Sequence, residues 1–116
     1  MHAFKYHRPS SVNDAAALAK GEARLLAGGQ TLVQAMKLRL SSPSDVIDLG
    51  SIRDLAGIRA SGSEVTIGAM SRHADVANSA DVKRSIPALA AVAGTIGDRQ
   101  VRAMGTIGGS LANNDP

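Results

Sequence analysis

Residues 23–40, "ARLLAGGQTLVQAMKLRL", constrain the fold more than any other part of this sequence. A short apolar run stops on Gly28 and Gly29, and helical spacing resumes at once, with Leu32, Val33, Met36 and Leu40 on one face and Lys37 and Arg39 directed outward. A run of that length ended by glycines suits a buried parallel strand. The same alternation flanks it. "FKYHRP" reads as a short strand closed by Pro9. "SSVNDAAALAKGE" reads as a helix with Ser11 as N-cap, Asp14 three residues on and Gly21 as a left-handed C-cap. "SSPSDVIDLG" supplies a turn and a further strand. Strand, helix, strand, helix, strand predicts a small α/β unit with parallel pairing.

The organisation then shifts from crossover to hairpin. "IRASGSEVTIGAM" reads as two strands joined at Ser61, Gly62 and Ser63, with Val65 and Ile67 alternating against Glu64 and Thr66. "SRHADVANS" and "DVKRSIPALAAVAGTIGDR" read as helices; Ser71 is the expected cap of the first, and Pro87 kinks or restarts the second. The closing "AMGTIGGSLANNDP" reads as a glycine-rich loop. No low-complexity linker divides the chain. A boundary is expected near residues 50–57, giving one subdomain over 1–52 and the start of a second over 53–116. Thr-Ile-Gly begins at Thr66, Thr95 and Thr106, at intervals too unequal for a structural repeat.

Composition narrows the chemistry. There is no Cys, so this chain holds no disulfide, thiolate metal site, cysteine nucleophile or iron-sulfur cluster, and a reducing, cytoplasmic compartment fits. One Phe, one Tyr and no Trp leave the core to Ala, Val, Ile and Leu. A single domain of this size buries only about two-thirds of its unfolded surface. The net charge of +3, from 13 basic and 10 acidic residues, is compatible with an anionic small ligand. The charges are scattered and aromatic platforms for bases are lacking, which argues against nucleic acid. "IPALAAVAG" is far short of the roughly 20 residues that a membrane span takes, and "MHAFKYHRPS" lacks a signal-peptide core.

Two glycine turns carry the candidate chemistry. In "LLAGGQTL" the bare backbone can approach a ligand, and the unpaired N–H groups where the next helix starts favour an anion such as phosphate. In "GTIGGSLANN", Gly105, Gly108 and Gly109 leave the backbone free to wrap, and Thr106 and Ser110 offer hydroxyls to phosphate oxygens. Together the turns can clamp a diphosphate; taken singly, each is more often an ordinary loop whose glycines serve positive-φ positions. Arg99 and Arg102 either offset phosphate charge or are solvated surface groups. Neither a G-x-G-x-x-G fingerprint nor a phosphate-loop signature is present, so a Rossmann dehydrogenase or ATPase has no support. Gly108 to Ala112 approaches a nucleophile elbow, but Ala112 stands where the motif has Gly and no His follows, which excludes the hydrolase. His2, His7 and His73 share no ligand spacing and read as surface histidines, and Asp45, Asp48 and Asp54 as turn and helix-start residues.

Three longer stretches carry a resemblance. "ARLLAGGQTLVQAMKLRLSSPSDVIDLG", "VTIGAMSRHADV" and "IGDRQVRAMGTIGGSLANNDP" closely resemble the FAD-binding medium subunit of the molybdenum hydroxylases, the family of aerobic carbon monoxide dehydrogenase and xanthine dehydrogenase. The match runs in order along essentially the whole chain, and A-G-G-Q-[ST]-L with T-I-G-G is far more specific than either alone. The resemblance implies the N-terminal part of a vanillyl-alcohol-oxidase-type (PCMH-type) FAD-binding fold. It implies that the flavin diphosphate lies between the two loops, with Leu26, Ala27, Gly28, Gly29, Gln30, Thr31 and Leu32 on one side and Thr106, Ile107, Gly108, Gly109 and Ser110 on the other. No catalytic residue and no metal ligand is implied for this chain. In the family a molybdenum-cofactor large subunit oxidises the substrate, iron-sulfur clusters in a small subunit carry electrons onward, and FAD passes them to the acceptor. The chain would thus be an oxidoreductase component, inactive alone.

Departures from the family pattern bear on that reading. Ser110 stands where Asn is common and keeps a hydrogen-bonding group of shorter reach; Ala103 also replaces a frequent Asn, and Asn114 a usual Ala. Family members continue well past the closing Asp-Pro, so the chain reads as the N-terminal part of a longer subunit. Weak FAD binding, or stabilisation by a chain supplying the missing half, is expected. The competing reading is a non-catalytic remnant or assembly piece that has lost FAD; the early stop favours it, and retention of both turns favours electron transfer.

Overall fold

Val46 and Ile47 are adjacent and both buried, at 2% and 0% exposure. Adjacent strand residues face opposite ways, so the strand that holds them is covered on both sides. In the computed structural model, which describes residues 1–115, that strand is β3 (Asp45–Asp48), the centre of a three-stranded sheet. β1 (Lys5–His7) and β2 (Arg24–Leu26) flank it, both parallel, in register Lys5 with Asp45 and Leu26 with Asp48. Two short helices, α1 (Val12–Leu18) and α2 (Leu32–Lys37), make the crossovers, as the alternation predicts. Ala15, Met36 and Ile52 complete the core of this unit, which spans Met1–Asp54.

Three local expectations change. β2 pairs as a parallel strand but is not buried, because it forms the sheet edge: Leu25 is 51% exposed. Ser11 caps α1 by accepting from the Asp14 N–H at 3.1 Å, but the helix stops at Leu18, and Gly21, with φ +59°, belongs to the following turn. α2 also stops early. Arg39 turns left-handed at φ +58°, and Leu40 is carried out to 79% exposure instead of joining Met36.

The second compact unit begins at Leu55. Its hairpin pairs β4 (Ile58–Ser61) with β5 (Glu64–Ile67), antiparallel, and Gly62 at φ +59° makes the turn. Val65 and Ile67 alternate inward, as expected. Five helices follow: α3 (His73–Asn78), α4 (Ala80–Ser85), α5 (Pro87–Ala93), α6 (Arg99–Met104) and α7 (Ile107–Asn113). Pro87 restarts the chain as the first residue of α5, where its missing N–H costs nothing. Val76, Val82, Ala90 and Ala93 form the core, and Ile58, Val65, Ile67, Leu89 and Ile107 pack on it. Ser71 does not cap α3. It is buried, and its hydroxyl meets both the N–H and the carbonyl of Gly57 at 3.2 Å, while the Asp75 carboxylate accepts from the Arg72 N–H at the helix start. Among the described residues no helix is long and apolar enough to cross a membrane.

Candidate functional site

The first candidate segment follows β2. The strand ends at Leu26, and the chain leaves the sheet through Ala27, Gly28 and Gly29 before α2 starts at Leu32. Gly29 has φ +77°, a conformation that side chains resist, and a Cβ there would lie 3.1 Å from Val33 Cγ2. Its carbonyl accepts from the Val33 N–H at 3.2 Å, and the Thr31 carbonyl from the Ala35 N–H at 3.0 Å. The donors are the distinctive part. Among the described residues, the N–H groups of Gly28, Gly29, Gln30, Thr31 and Leu32 make no hydrogen bond to the chain itself. Thr31 stands at the N-cap position, yet its hydroxyl makes no cap bond. The Gln30 side-chain amide reaches back to the Gly28 carbonyl at 3.5 Å, at the limit of a hydrogen bond. Successive free N–H groups around a left-handed glycine suit an anion with several oxygens, such as a diphosphate.

The second candidate segment is not a loop. Thr106 caps α7, its Oγ1 accepting from the Gly109 N–H at 3.1 Å, so Ile107, Gly108, Gly109 and Ser110 form a first helical turn. Every amide in that turn is already engaged. Ile107 donates to the Ser71 carbonyl at 3.0 Å, Gly108 to the Ala69 carbonyl at 2.8 Å, and Ser110 to the Thr106 carbonyl at 3.1 Å. The backbone is thus pinned to residues 69–71 instead of free to wrap. Neither Gly108 nor Gly109 has positive φ. Gly108 is small because a Cβ would come within 2.6 Å of both the Ala69 Cβ and its carbonyl oxygen. What this segment can offer a ligand is bare Cα surface and the hydroxyl of the exposed Ser110, since Thr106 is 3% exposed and its Oγ1 is engaged by Gly109.

His73 corrects the reading of three surface histidines. It is 4% exposed, and its Nε2 lies 3.1 Å from Ser110 Oγ, a contact across 37 residues that no local spacing reveals. Burial pushes its pKa below the ordinary value. The only sequence signal is its place within the stretch "VTIGAMSRHADV", which gives it no role. Arg102 donates to the carbonyls of Ile96 and Gly97 at 3.2 and 2.9 Å and so ties down the preceding turn, while Arg99 is exposed. In the first unit Asp48 caps the turn at Gly50 by accepting its N–H at 2.8 Å and also takes the Tyr6 hydroxyl. Asp45 bonds His7 Nε2 and the Ser44 hydroxyl, both at 2.7 Å, and these bonds hold its carboxyl below the usual range. Among the described residues no group of three or more His, Asp or Glu is placed to hold a metal ion.

Known proteins are similar to this chain in sequence and fold. A family model described as the FAD binding domain in molybdopterin dehydrogenase matches residues 2–116. The carbon monoxide dehydrogenase medium chain of Hydrogenophaga pseudoflava is 47% identical over 97% of this chain and 40% of its own length. The glyceraldehyde dehydrogenase medium chain of Sulfolobus acidocaldarius is 40% identical over 97% of this chain and 41% of its own length. Among solved structures, carbon monoxide dehydrogenase from Hydrogenophaga pseudoflava superposes with a TM-score of 0.94 at 47% identity, over 97% of this chain and 40% of that one. Quinoline 2-oxidoreductase from Pseudomonas putida 86 gives 0.93 at 34% identity, over 98% of this chain and 41% of that one. The chain thus spans about 40% of the length of the curated relatives it matches. With a family model along nearly its whole length and relatives 47% and 40% identical over 97% of it, this chain belongs to the FAD-binding domains of the molybdopterin dehydrogenases.

Proposed function

We propose that this chain is an FAD-binding electron-transfer module, which in a molybdenum hydroxylase complex passes electrons from iron-sulfur clusters through FAD to an acceptor. The observation that carries the reading is the run of unengaged N–H groups from Gly28 to Leu32. These residues are half-buried or, at Thr31, exposed, so an anion that accepts from several of the N–H groups at once can take the place of water at this one turn. Leu26, Ala27, Gly28, Gly29, Gln30, Thr31 and Leu32 are the diphosphate-binding residues of this proposal. Thr106, Ile107, Gly108, Gly109 and Ser110 are a second flavin-contacting segment, acting through the Ser110 hydroxyl and bare backbone surface, with Thr106 holding the turn as its cap, because the amides are committed. The two segments belong to two FAD-binding subdomains, residues 1–52 and 53–116. When bound, FAD supplies the redox chemistry; this chain binds and orients it. The partners are a molybdenum-cofactor large subunit and an iron-sulfur small subunit in a reducing, cytoplasmic setting, and substrate oxidation takes place outside this chain.

Fluorescence titration of the purified 116-residue chain with FAD tests the reading. Saturable binding that ADP displaces, with riboflavin binding far more weakly, is the expected result, because ADP keeps the diphosphate and riboflavin lacks it. Equal affinity for riboflavin would overturn the assignment of residues 26–32, and no binding of FAD would favour the competing reading of a remnant that has lost the cofactor.

A further inference from the structure

His73 is buried, polar and absent from the proposed set of flavin contacts. Three features tie it to residues 105–110. Its main-chain N–H donates to the Gly105 carbonyl at 3.0 Å. Its Nε2 lies 3.1 Å from Ser110 Oγ. Its ring fills the space where residue 105 would carry a side chain: a Cβ on Gly105 would sit 3.0 Å from the His73 Cδ2. A buried imidazole is costly unless its nitrogens find partners, so the Ser110 hydroxyl is part of what makes this position tolerable.

The gain runs the other way as well. Ser110 is exposed, and a lone serine hydroxyl on a helix surface samples several rotamers. The contact with His73 selects one. Main-chain bonds to Ser71, Ala69 and Thr106 hold this turn, and the contact between His73 and Ser110 adds a side-chain tie that orders the hydroxyl and reinforces them. We propose that His73 is a positioning residue of the flavin-contacting segment: it holds the Ser110 hydroxyl in one orientation and fastens the first turn of α7 to the start of α3. The inference deepens the FAD-binding reading and rests on it for its consequence in affinity. Burial keeps the ring neutral at neutral pH, so it meets the hydroxyl without bringing a charge next to the ligand segment.

The test uses the 116-residue chain and the variants His73→Leu, His73→Gln, Ser110→Ala and His73→Leu with Ser110→Ala. FAD affinity, amide exchange of the ligand-free chain and the thermal midpoint are measured for each. His73→Leu is expected to weaken FAD binding by about fivefold, the worth of one hydrogen bond. It also speeds exchange at Ile107, Gly108, Gly109 and Ser110 beyond any change at Val76 and Val82. His73→Gln, which places an amide where Nε2 stood, restores both, and in the Ser110→Ala background His73→Leu weakens FAD no further. Exchange at residues 107–110 unaffected by His73→Leu, or raised evenly across the unit with no rescue by Gln, would overturn the proposal. Should the wild-type chain bind no FAD, the FAD-binding reading falls, and the exchange comparison still decides whether His73 positions this segment.

Discussion

Gly108 and Gly62 are both glycines for reasons a substitution can separate. At Gly108 a methyl group would meet the Ala69 Cβ and carbonyl oxygen at 2.6 Å, and that same carbonyl accepts the Gly108 N–H at 2.8 Å. Gly108→Ala must therefore push two main chains apart, and we expect a loss of about 1–3 kcal/mol, read as a lower urea midpoint at unchanged slope. At Gly62 nothing lies within 4 Å of the place a methyl would take, and only the φ of +59° resists it. Gly62→Ala is expected to cost about 1 kcal/mol. A Gly108→Ala variant as stable as wild type would show that residues 69 and 108 are not in contact. His73 makes a second residue-level prediction. Burial lowers its pKa in the folded chain, so the unfolded chain takes up the proton at higher pH than the folded one does. Stability is then complete above the ordinary histidine value of about 6.5 and falls as the pH drops from there through the folded pKa. Urea unfolding of wild type and His73→Gln at a series of pH values between about 7 and 5 checks this: the variant should lose less stability on acidification, and parallel curves would show that His73 does not titrate between the two states.

The end of α2 shows how an element can be set by a residue that sequence patterns pass over. The Leu40 N–H bonds the Ala35 carbonyl at 2.8 Å and the Arg39 N–H the Met36 carbonyl at 3.1 Å, the paired closure of a Schellman motif, with Arg39 in the left-handed position that glycine usually takes. Left-handed backbone costs a side-chain-bearing residue roughly 1–2 kcal/mol, offset in part by the extra freedom glycine has when unfolded. Arg39→Gly is therefore expected to stabilise by up to about 1 kcal/mol, and Arg39→Val to destabilise; thermal midpoints of the two variants moving in the same direction would refute this account of the cap. Because arginine gives no stop signal, the helical period from Met36 on to Leu40 reads as unbroken, and the true end is hidden. Where the stop or start signal is local, it is legible: Ser11 with Asp14 at α1, Gly62 in the hairpin and Pro87 at α5 all act as their residue types predict. α7 escapes a sequence reading for the opposite reason. Glycine disfavours helix interiors, so Gly108 and Gly109 suggest a loop, but Thr106 caps the turn and residues 69–71 hold its amides. The glycine turn between β2 and α2 is legible as a turn, whereas the use of the amides in residues 107–110 depends on residues far away in the chain.

The molecule as a whole is held by few large side chains. The largest that are fully buried are Ile47 and Ile52 in the first unit and Val76 and Val82 in the second. A chain of this size with cores of this kind has little stability to spare, since folded domains keep only about 5–15 kcal/mol and small ones sit low in that range. A ligand that binds only the folded form then shifts stability by an amount comparable to a sizeable part of the whole. FAD at about one hundred times its dissociation constant should add about 2.7 kcal/mol and raise the thermal midpoint by several degrees. The sign and selectivity of the shift follow from the donors at Gly28 to Leu32, which make no hydrogen bond within the described residues. ADP should raise the midpoint at concentrations scaled to its own affinity, inorganic salt should weaken both effects by screening the diphosphate charge, and riboflavin should leave the midpoint where it was. A thermal scan with the three compounds at two ionic strengths measures this directly. A shift with riboflavin equal to that with FAD would place the binding energy on the flavin ring and away from the glycine turn after β2.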